Sequence, residues 1–490
     1  MDARPAQPAK PPKVKGGFLH CDLCVIGGGS GGLSVAAGAV QMGASVVLIE
    51  KGKMGGDCLN TGCVPSKALI AAAQHARSVD RARQFGVYTT IKEVRFDEVH
   101  RHVHSVIGSI APHDSVERFQ GLGVHVIQAR ATFVDDQTIE AGEQRIRARR
   151  FVIATGSRAA VPPVPGLEGS GYLTNENIFD LDELPEHLVV IGGGPIGIEM
   201  AQSFRSLGAR VTIIEKFGIL ARDEPEAVTV VRGTLLAQGV NLIEKVGVRK
   251  ISRGDTGVAV ELDGPSPHGQ TILGSHVLVA AGRKPNTEEL GLAVAGIDAT
   301  PKGITVDARL RTSNPKVFAI GDVAGGPQFT HIAGYHAGIV IRNALFGLPA
   351  KVDYAALPWV TYTSPELAHV GLTEAEARKT SSGIKTVNWP FALNDRAQAE
   401  QATEGLIKVV LDKRGRILGA TIVGDHAGEL IGMWGLAISS KLRIGAIAGA
   451  VLPYPTLSEV SKRVAGSYFT PKLFGPLTRK VVGFVQRFIS

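Results

Sequence analysis

Cys58 and Cys63, five residues apart, stand in the stretch Gly55-Gly56-Asp57-Cys58-Leu59-Asn60-Thr61-Gly62-Cys63-Val64-Pro65-Ser66-Lys67. A cysteine reacts as its thiolate. The alanine-rich run from Ala68 to Arg77 is helix-forming, so Cys63 is expected near a helix N-terminus, where unpaired N–H groups and the helix dipole favour the anion. Glycines on both sides let backbone approach a flat cofactor closely, and Pro65 fixes one turn of the entry. The chemistry this pattern suits is thiol–disulfide exchange and electron transfer. The other two cysteines, Cys21 and Cys24, fall in a predicted strand, where an odd separation puts them on opposite faces; they are expected to be core residues rather than a shared metal or redox site.

The elements that must position such a pair are glycine turns between strand and helix. Gly27-x-Gly29-x-x-Gly32 follows the apolar run Leu23 to Ile26 and precedes small residues reaching Met42. A strand expected from Ser45 to Ile49 then ends in Glu50, where a carboxylate can accept the hydroxyls of a ribose. About 165 residues on, Gly192-x-Gly194-x-x-Gly197 follows Leu188 to Ile191, and Arg210 to Ile214 ends in Glu215. One such turn is a weak signal in a chain of 60 glycines, but two, each with its acid, predict two dinucleotides with their pyrophosphates on helix N-termini. The first turn is joined to the cysteine pair, which must reach a flavin to exchange electrons. FAD is therefore assigned to the first site and a nicotinamide nucleotide to the second. Glu215 would repel a ribose 2′-phosphate, which favours NADH over NADPH; the adjacent Lys216 pulls the other way.

Together these segments resemble the pyridine nucleotide-disulfide oxidoreductases, a family that includes dihydrolipoamide dehydrogenase, glutathione reductase and mercuric reductase. The resemblance covers about residues 18 to 466. It implies an α/β fold of two Rossmann-like three-layer dinucleotide-binding domains plus a C-terminal α+β dimerisation domain. The expected division is 18–180 with 300–350 for FAD, 181–299 for NAD(P) and 351–466 for the interface of a homodimer whose subunits complete each other's sites. It further implies that Ala154-Thr155-Gly156-Ser157 and Val317-Phe318-Ala319-Ile320-Gly321-Asp322 border the flavin, with Asp322 on its ribitol, and that Ala280-Ala281-Gly282-Arg283-Lys284-Pro285-Asn286 closes the nicotinamide domain. By the family's order, Cys58 and Cys63 form the redox-active disulfide, Cys63 facing the flavin and Cys58 exchanging with the acceptor. Lys67 would lie near the flavin, paired with Glu199.

One departure bears on the acceptor. Where dihydrolipoamide dehydrogenase and glutathione reductase present His-Pro-Thr followed by a glutamate, this chain has Tyr454-Pro455-Thr456-Leu457-Ser458-Glu459. A tyrosine with pKa near 10 is ionised to only about one part in a thousand at pH 7, and losing a positioned base costs on the order of 10²- to 10⁴-fold. Mercuric reductases carry tyrosine here, yet they also use a C-terminal cysteine pair, and no cysteine follows Cys63. The sequence reads as a mercuric reductase-like flavoprotein passing electrons from NAD(P)H to a thiol, disulfide or metal-ion acceptor. Dihydrolipoamide dehydrogenase and a non-enzymatic flavoprotein binding module are the alternatives.

Composition agrees with a multi-domain enzyme, with 44% hydrophobic residues over 490 positions. The net charge of +8 sits at the ends: +3 in residues 1–17 and +6 in residues 460–490, leaving −1 for the body. Such a body carries no basic stripe for nucleic acid. A cytoplasmic protein with a disordered 1–17 leader is expected. In the basic tail 467–490, Leu477, Val481, Phe484, Val485, Phe488 and Ile489 share a helical face, which suits packing on protein or weak contact with a membrane surface. His100 and His104 share a face of a predicted helix without His102; a solvated face, not a metal site, is expected.

Overall fold

The computed structural model describes residues 10–255 and 257–489. Its α/β architecture follows from valine- and isoleucine-rich runs too apolar to face water on either side. Strand His187–Ile191, for example, is buried throughout. In the first sheet the strands His125–Gln128, Val46–Glu50, Phe18–Ile26 and Gln144–Ile153 lie side by side in parallel. Val317–Ala319 returns from far along the chain to pair, also in parallel, with the end of Gln144–Ile153. Helix Ser30–Gln41 makes the crossover between Phe18–Ile26 and Val46–Glu50.

The second unit repeats this plan. Asn241–Glu244, Arg210–Glu215, His187–Ile191 and His276–Val279 form a parallel sheet, crossed by helix Pro195–Ser206 and flanked by the antiparallel strands Val248–Gly254, Gly257–Leu262 and Thr271–Gly274. The third is antiparallel, in the order Pro358–Thr361, Glu366–Gly371, Ile417–Gly424, Leu406–Leu411 and Lys385–Pro390. Helix Ala427–Ser439 covers it with the fully buried Trp434.

Among the contacts that join these units, two stand out. The long helix Cys63–Ala82 packs Leu69 and Ala73 into one apolar cluster with Ile198 and Phe204 of the second unit. Lys408 on strand Leu406–Leu411 of the third unit is enclosed by Glu224 and Glu226 of the second and by Glu374 of its own at 2.9, 2.8 and 2.7 Å.

Two expectations change. Lys13–Lys15, placed by sequence in a disordered leader, forms a strand antiparallel to Phe18–His20; residues 1–9 of that leader lie outside the described residues. Cys21 and Cys24 are both buried, as expected, but they pack into the same cluster rather than onto opposite faces. The N–H groups of Asp22 and Leu23 both donate to the Ser45 carbonyl, which breaks the strand's alternation between them.

Candidate active site

The two glycine turns are built alike. Gly27 and Gly192 have φ of +109° and +115°, and a Cβ on either would strike the carbonyl of Ala154 or Ala280, just past the end of the neighbouring strand. A Cβ on Gly32 or Gly197 would overlap the carbonyl oxygen of Gly27 or Gly192, so helix and turn approach as only glycine allows. The helices start at Gly29 and Gly194 without a side-chain cap, leaving first-turn N–H groups directed at the space where a pyrophosphate fits. Glu50 accepts from the N–H groups of Gly28 and Gly52 at 2.5 and 2.6 Å; Glu215 accepts from Gly193 and Phe217 at 2.6 and 2.8 Å. Each acid therefore also holds its own turn.

Between these turns lies the cysteine pair. Cys58 is on the short helix Gly56–Asn60, and Cys63 is the first residue of helix Cys63–Ala82. Gly56, with φ +61°, sits against Gly29 closely enough that a Cβ would meet the Gly29 Cα at 2.7 Å, so the redox segment rests on the first nucleotide turn. As free thiols the two are unequal. Cys63 is lowered to about 6, first by the hydrogen bond from Cys58, then by Thr330, whose Oγ1 is 3.4 Å away, and by the Lys67 charge; burial opposes these. Donating that hydrogen bond, together with burial, raises Cys58 far above an ordinary thiol.

Lys67, one turn beyond Cys63, pairs with Glu199 at 2.8 Å and lies 4.3 Å from the centre of the Tyr362 ring. Glu199 is buried and also accepts from the Tyr362 N–H at 2.9 Å. Thr155 and Asn286 exchange hydrogen bonds of 2.7 and 2.9 Å, and the Asn286 N–H bonds the Gly156 carbonyl at 2.9 Å; Gly282, at φ +118°, begins the segment that makes these contacts. Ser157 donates to Asp322 at 2.5 Å. Burial raises Asp322 above the usual carboxylate range, and Arg283, 3.7 Å away, partly offsets this. His100 and His104 do share a face, with ring centres 4.3 Å apart and His104 Nε2 3.2 Å from the Phe179 carbonyl.

Comparison with known proteins bears on what such an arrangement is. Residues 21–337 match the family described as pyridine nucleotide-disulphide oxidoreductase, and residues 357–465 match its dimerisation domain. The chain belongs to this family. Among its relatives are a mercuric reductase of Streptomyces lividans, 35% identical with 91% of this chain and 96% of the relative covered, and a dihydrolipoyl dehydrogenase of Geobacillus stearothermophilus, 36% identical with 92% and 97% covered. Two solved structures share the fold. The Cu(II) complex of the HOCl-induced flavoprotein disulfide reductase RclA from Escherichia coli has a TM-score of 0.82 at 28% identity, covering 91% of this chain and 99% of that one. LpdA from Mycobacterium tuberculosis has 0.83 at 26% over the same shares.

FAD and a pyridine nucleotide are typical cofactors of this family, and the dimerisation domain supports a homodimer. The residues present fit FAD: the glycine cradle around Gly27 and Gly32 admits no Cβ, and beside it opens a cleft lined by Glu50, Lys51, Arg130, Thr155 and Asn286. At the other end of the chain Tyr454 is exposed within one subunit. Its hydroxyl donates to Asp395 at 2.9 Å, and that carboxylate pushes the phenol above its ordinary value. Glu459, the acid singled out by sequence, begins helix Glu459–Ser467.

Sequence reasoning missed several members of the site. Arg283, its side chain only 13% exposed, bonds Asp57 at 3.0 Å, Ser157 Oγ at 2.7 Å and the Ser157 carbonyl at 3.0 Å, joining the redox segment to the Asp322 turn. It stands in the segment Gly282-Arg283-Lys284-Pro285-Asn286, but nothing in the spacing says where the guanidinium goes. Thr330 lies 267 residues from the thiol it meets. His336 is buried, accepts the Gly321 N–H at 3.1 Å and is lowered to about 4 by burial, so it stays neutral and holds the turn carrying Asp322.

Proposed function

We propose that this flavoprotein disulfide reductase carries electrons from NADH through FAD to the Cys58–Cys63 disulfide and on to a metal ion or a disulfide, as a mercuric reductase-like enzyme of the cytoplasm. The observation that carries the choice of acceptor is Tyr454, a phenol made less acidic by Asp395, at the position of the family's histidine base. Bound FAD would supply the two-electron relay between nicotinamide and disulfide. Around it, this chain's residues hold charge and protons. Thr330, Lys67 and the Cys58 S–H stabilise the Cys63 thiolate; Glu199, fixed by the Tyr362 N–H, keeps Lys67 in place; Asp322 and Gly27 to Gly32 form the cradle. Glu215, at the end of its strand, favours NADH.

The thiol proton of Cys58 decides which acceptors are easy. A dithiol substrate must hand its protons to a base, and Tyr454 is a poor one. A metal ion instead expels the thiol proton by coordinating sulfur, so its reduction needs no base. That a Cu(II) complex of a structurally similar flavoprotein disulfide reductase exists supports this class of acceptor. The dihydrolipoyl dehydrogenase relatives, as similar in identity as the mercuric reductases, favour the second reading, lipoyl-dithiol oxidation with NAD.

NADH absorbance followed against a panel of Hg(II) and Cu(II) thiolates, disulfides, quinones and, in reverse, dihydrolipoamide with NAD separates the two. Metal- or disulfide-dependent NADH oxidation is expected, abolished by Cys58→Ser and by Cys63→Ser. Wild-type dihydrolipoamide turnover on the order of hundreds per second would overturn the assignment, since that lies within the ordinary range for an enzyme on its own substrate.

A further inference from the structure

We propose that the segment after residue 466 is a docking surface for an anionic phospholipid bilayer. Helix Pro476–Val485 has no buried residue. Around it Leu473, Phe474, Leu477, Val481, Phe484, Val485, Phe488 and Ile489 are all exposed. The arrangement is ordered. At about 100° per residue, Leu477, Val481, Phe484, Val485 and Phe488 fall within about 100° of arc, while Arg479 lies opposite it and Lys480 and Arg487 flank one edge. The Phe484 and Phe488 rings meet edge to face at 5.2 Å, giving that arc an aromatic ridge. Large apolar side chains gathered on one exposed face mark an interaction site rather than ordinary surface.

Charge and continuity choose the occupant. Residues 460–490 hold Lys462, Arg463, Lys472, Arg479, Lys480 and Arg487 and no acid, whereas the body of the chain is nearly neutral. A second copy seated on the same face would bring like charges together, and the match to the dimerisation domain stops at residue 465, before the segment begins. A bilayer bearing negative headgroups satisfies both halves of the pattern, taking the apolar arc at the acyl boundary and the cations among the phosphates. Among the described residues no helix is long and apolar enough to cross a membrane, and ten residues at about 1.5 Å each reach only half of a hydrocarbon core, so the helix lies in the surface.

The test is sedimentation of the FAD-loaded enzyme with sucrose-filled vesicles, either phosphatidylcholine alone or three parts of it to one of phosphatidylglycerol, in 0.1 M salt. Wild-type protein should pellet with the anionic vesicles at least about ten-fold more strongly than with the neutral ones, and lose this in 0.5 M salt. Arg479→Gln, Lys480→Gln and Arg487→Gln together should weaken anionic binding roughly a hundred-fold. Leu477→Glu, Phe484→Glu and Phe488→Glu together should abolish it while NADH-dependent turnover and the mass of the assembly in solution stay as in wild type. The proposal fails if wild-type protein does not pellet with anionic vesicles or if the apolar variant pellets as wild type does. It fails equally if the apolar variant changes assembly mass, because the face would then belong to a second copy.

Discussion

The charge of the reduced pair resides on Cys63 because Cys58 donates its proton toward it as a hydrogen bond. A hydrogen bond to a charged group is worth about 1.5–3 kcal/mol and a pKa unit about 1.4, so Cys58→Ala should raise Cys63 from about 6 by roughly one to two units. Iodoacetamide alkylation of reduced protein as a function of pH measures this; half-maximal rate near pH 6 is expected in wild type and near 7 to 8 in the variant. The folded value lies below the ordinary thiol value of 9.0, so the thiolate and the stability it lends the reduced fold are fully present above that ordinary value. They are lost as pH falls through about 6. At the second turn, Glu215 should make kcat/KM for NADH exceed that for NADPH by about ten or more, the worth of one good charge contact. A preference for NADPH in steady-state assays would place Lys216 in control. Cys63 at a helix start and Glu215 at a strand end stand where short-range spacing put them, and Lys67 pairs with Glu199 as the family resemblance implied. Arg283 and Thr330 were not legible in the sequence, because each meets its partners only after the chain has folded back over hundreds of residues.

At the scale of elements, the two strand–turn–helix units were readable from periodicity and glycine placement, and their acids fall at the ends of the strands Val46–Glu50 and Arg210–Glu215. The short strand Lys13–Lys15 was not readable, since three polar or exposed residues carry no periodic signal and pairing with Phe18–His20 alone defines them. Nor was the shared burial of Cys21 and Cys24, which depends on one carbonyl, that of Ser45, taking two successive N–H groups. The glycine turns give a test that separates the two nucleotides. Gly32→Ala drives a Cβ into the Gly27 carbonyl and should yield protein with little FAD, judged by its visible absorbance. Gly197→Ala makes the same collision with Gly192 and should raise KM for NADH at least about ten-fold with normal FAD content. Loss of FAD from the second variant would show that the turns are not independent.

In the whole molecule, the units are joined by buried charge as well as by apolar packing. Lys408, in an otherwise apolar strand, is satisfied because Glu224 and Glu226 of the second unit and Glu374 of its own unit converge on it; Lys408→Met strands the buried Glu224 and should cost about 3–5 kcal/mol in urea unfolding. On the proposed reading the dimer matters for Tyr454, which is 69% exposed within its own subunit and bonded to Asp395, because it would then face the partner's acceptor pocket. Tyr454→His should therefore place a base near Cys58 of the other subunit, with Asp395 as well as Glu459 in the same region to orient it. Dihydrolipoamide oxidation should rise by roughly ten- to a hundred-fold, less than the full value of a general base because nothing else in the pocket is matched to that substrate. Reduction of the bound flavin by NADH, followed by stopped flow, should hardly change, since the substitution alters proton acceptance at the thiols and not the nicotinamide site. If dihydrolipoamide turnover stays flat while a metal-ion reductase activity is intact, the acceptor pocket excludes the dithiol by shape; if both fall, Tyr454 serves the native acceptor directly.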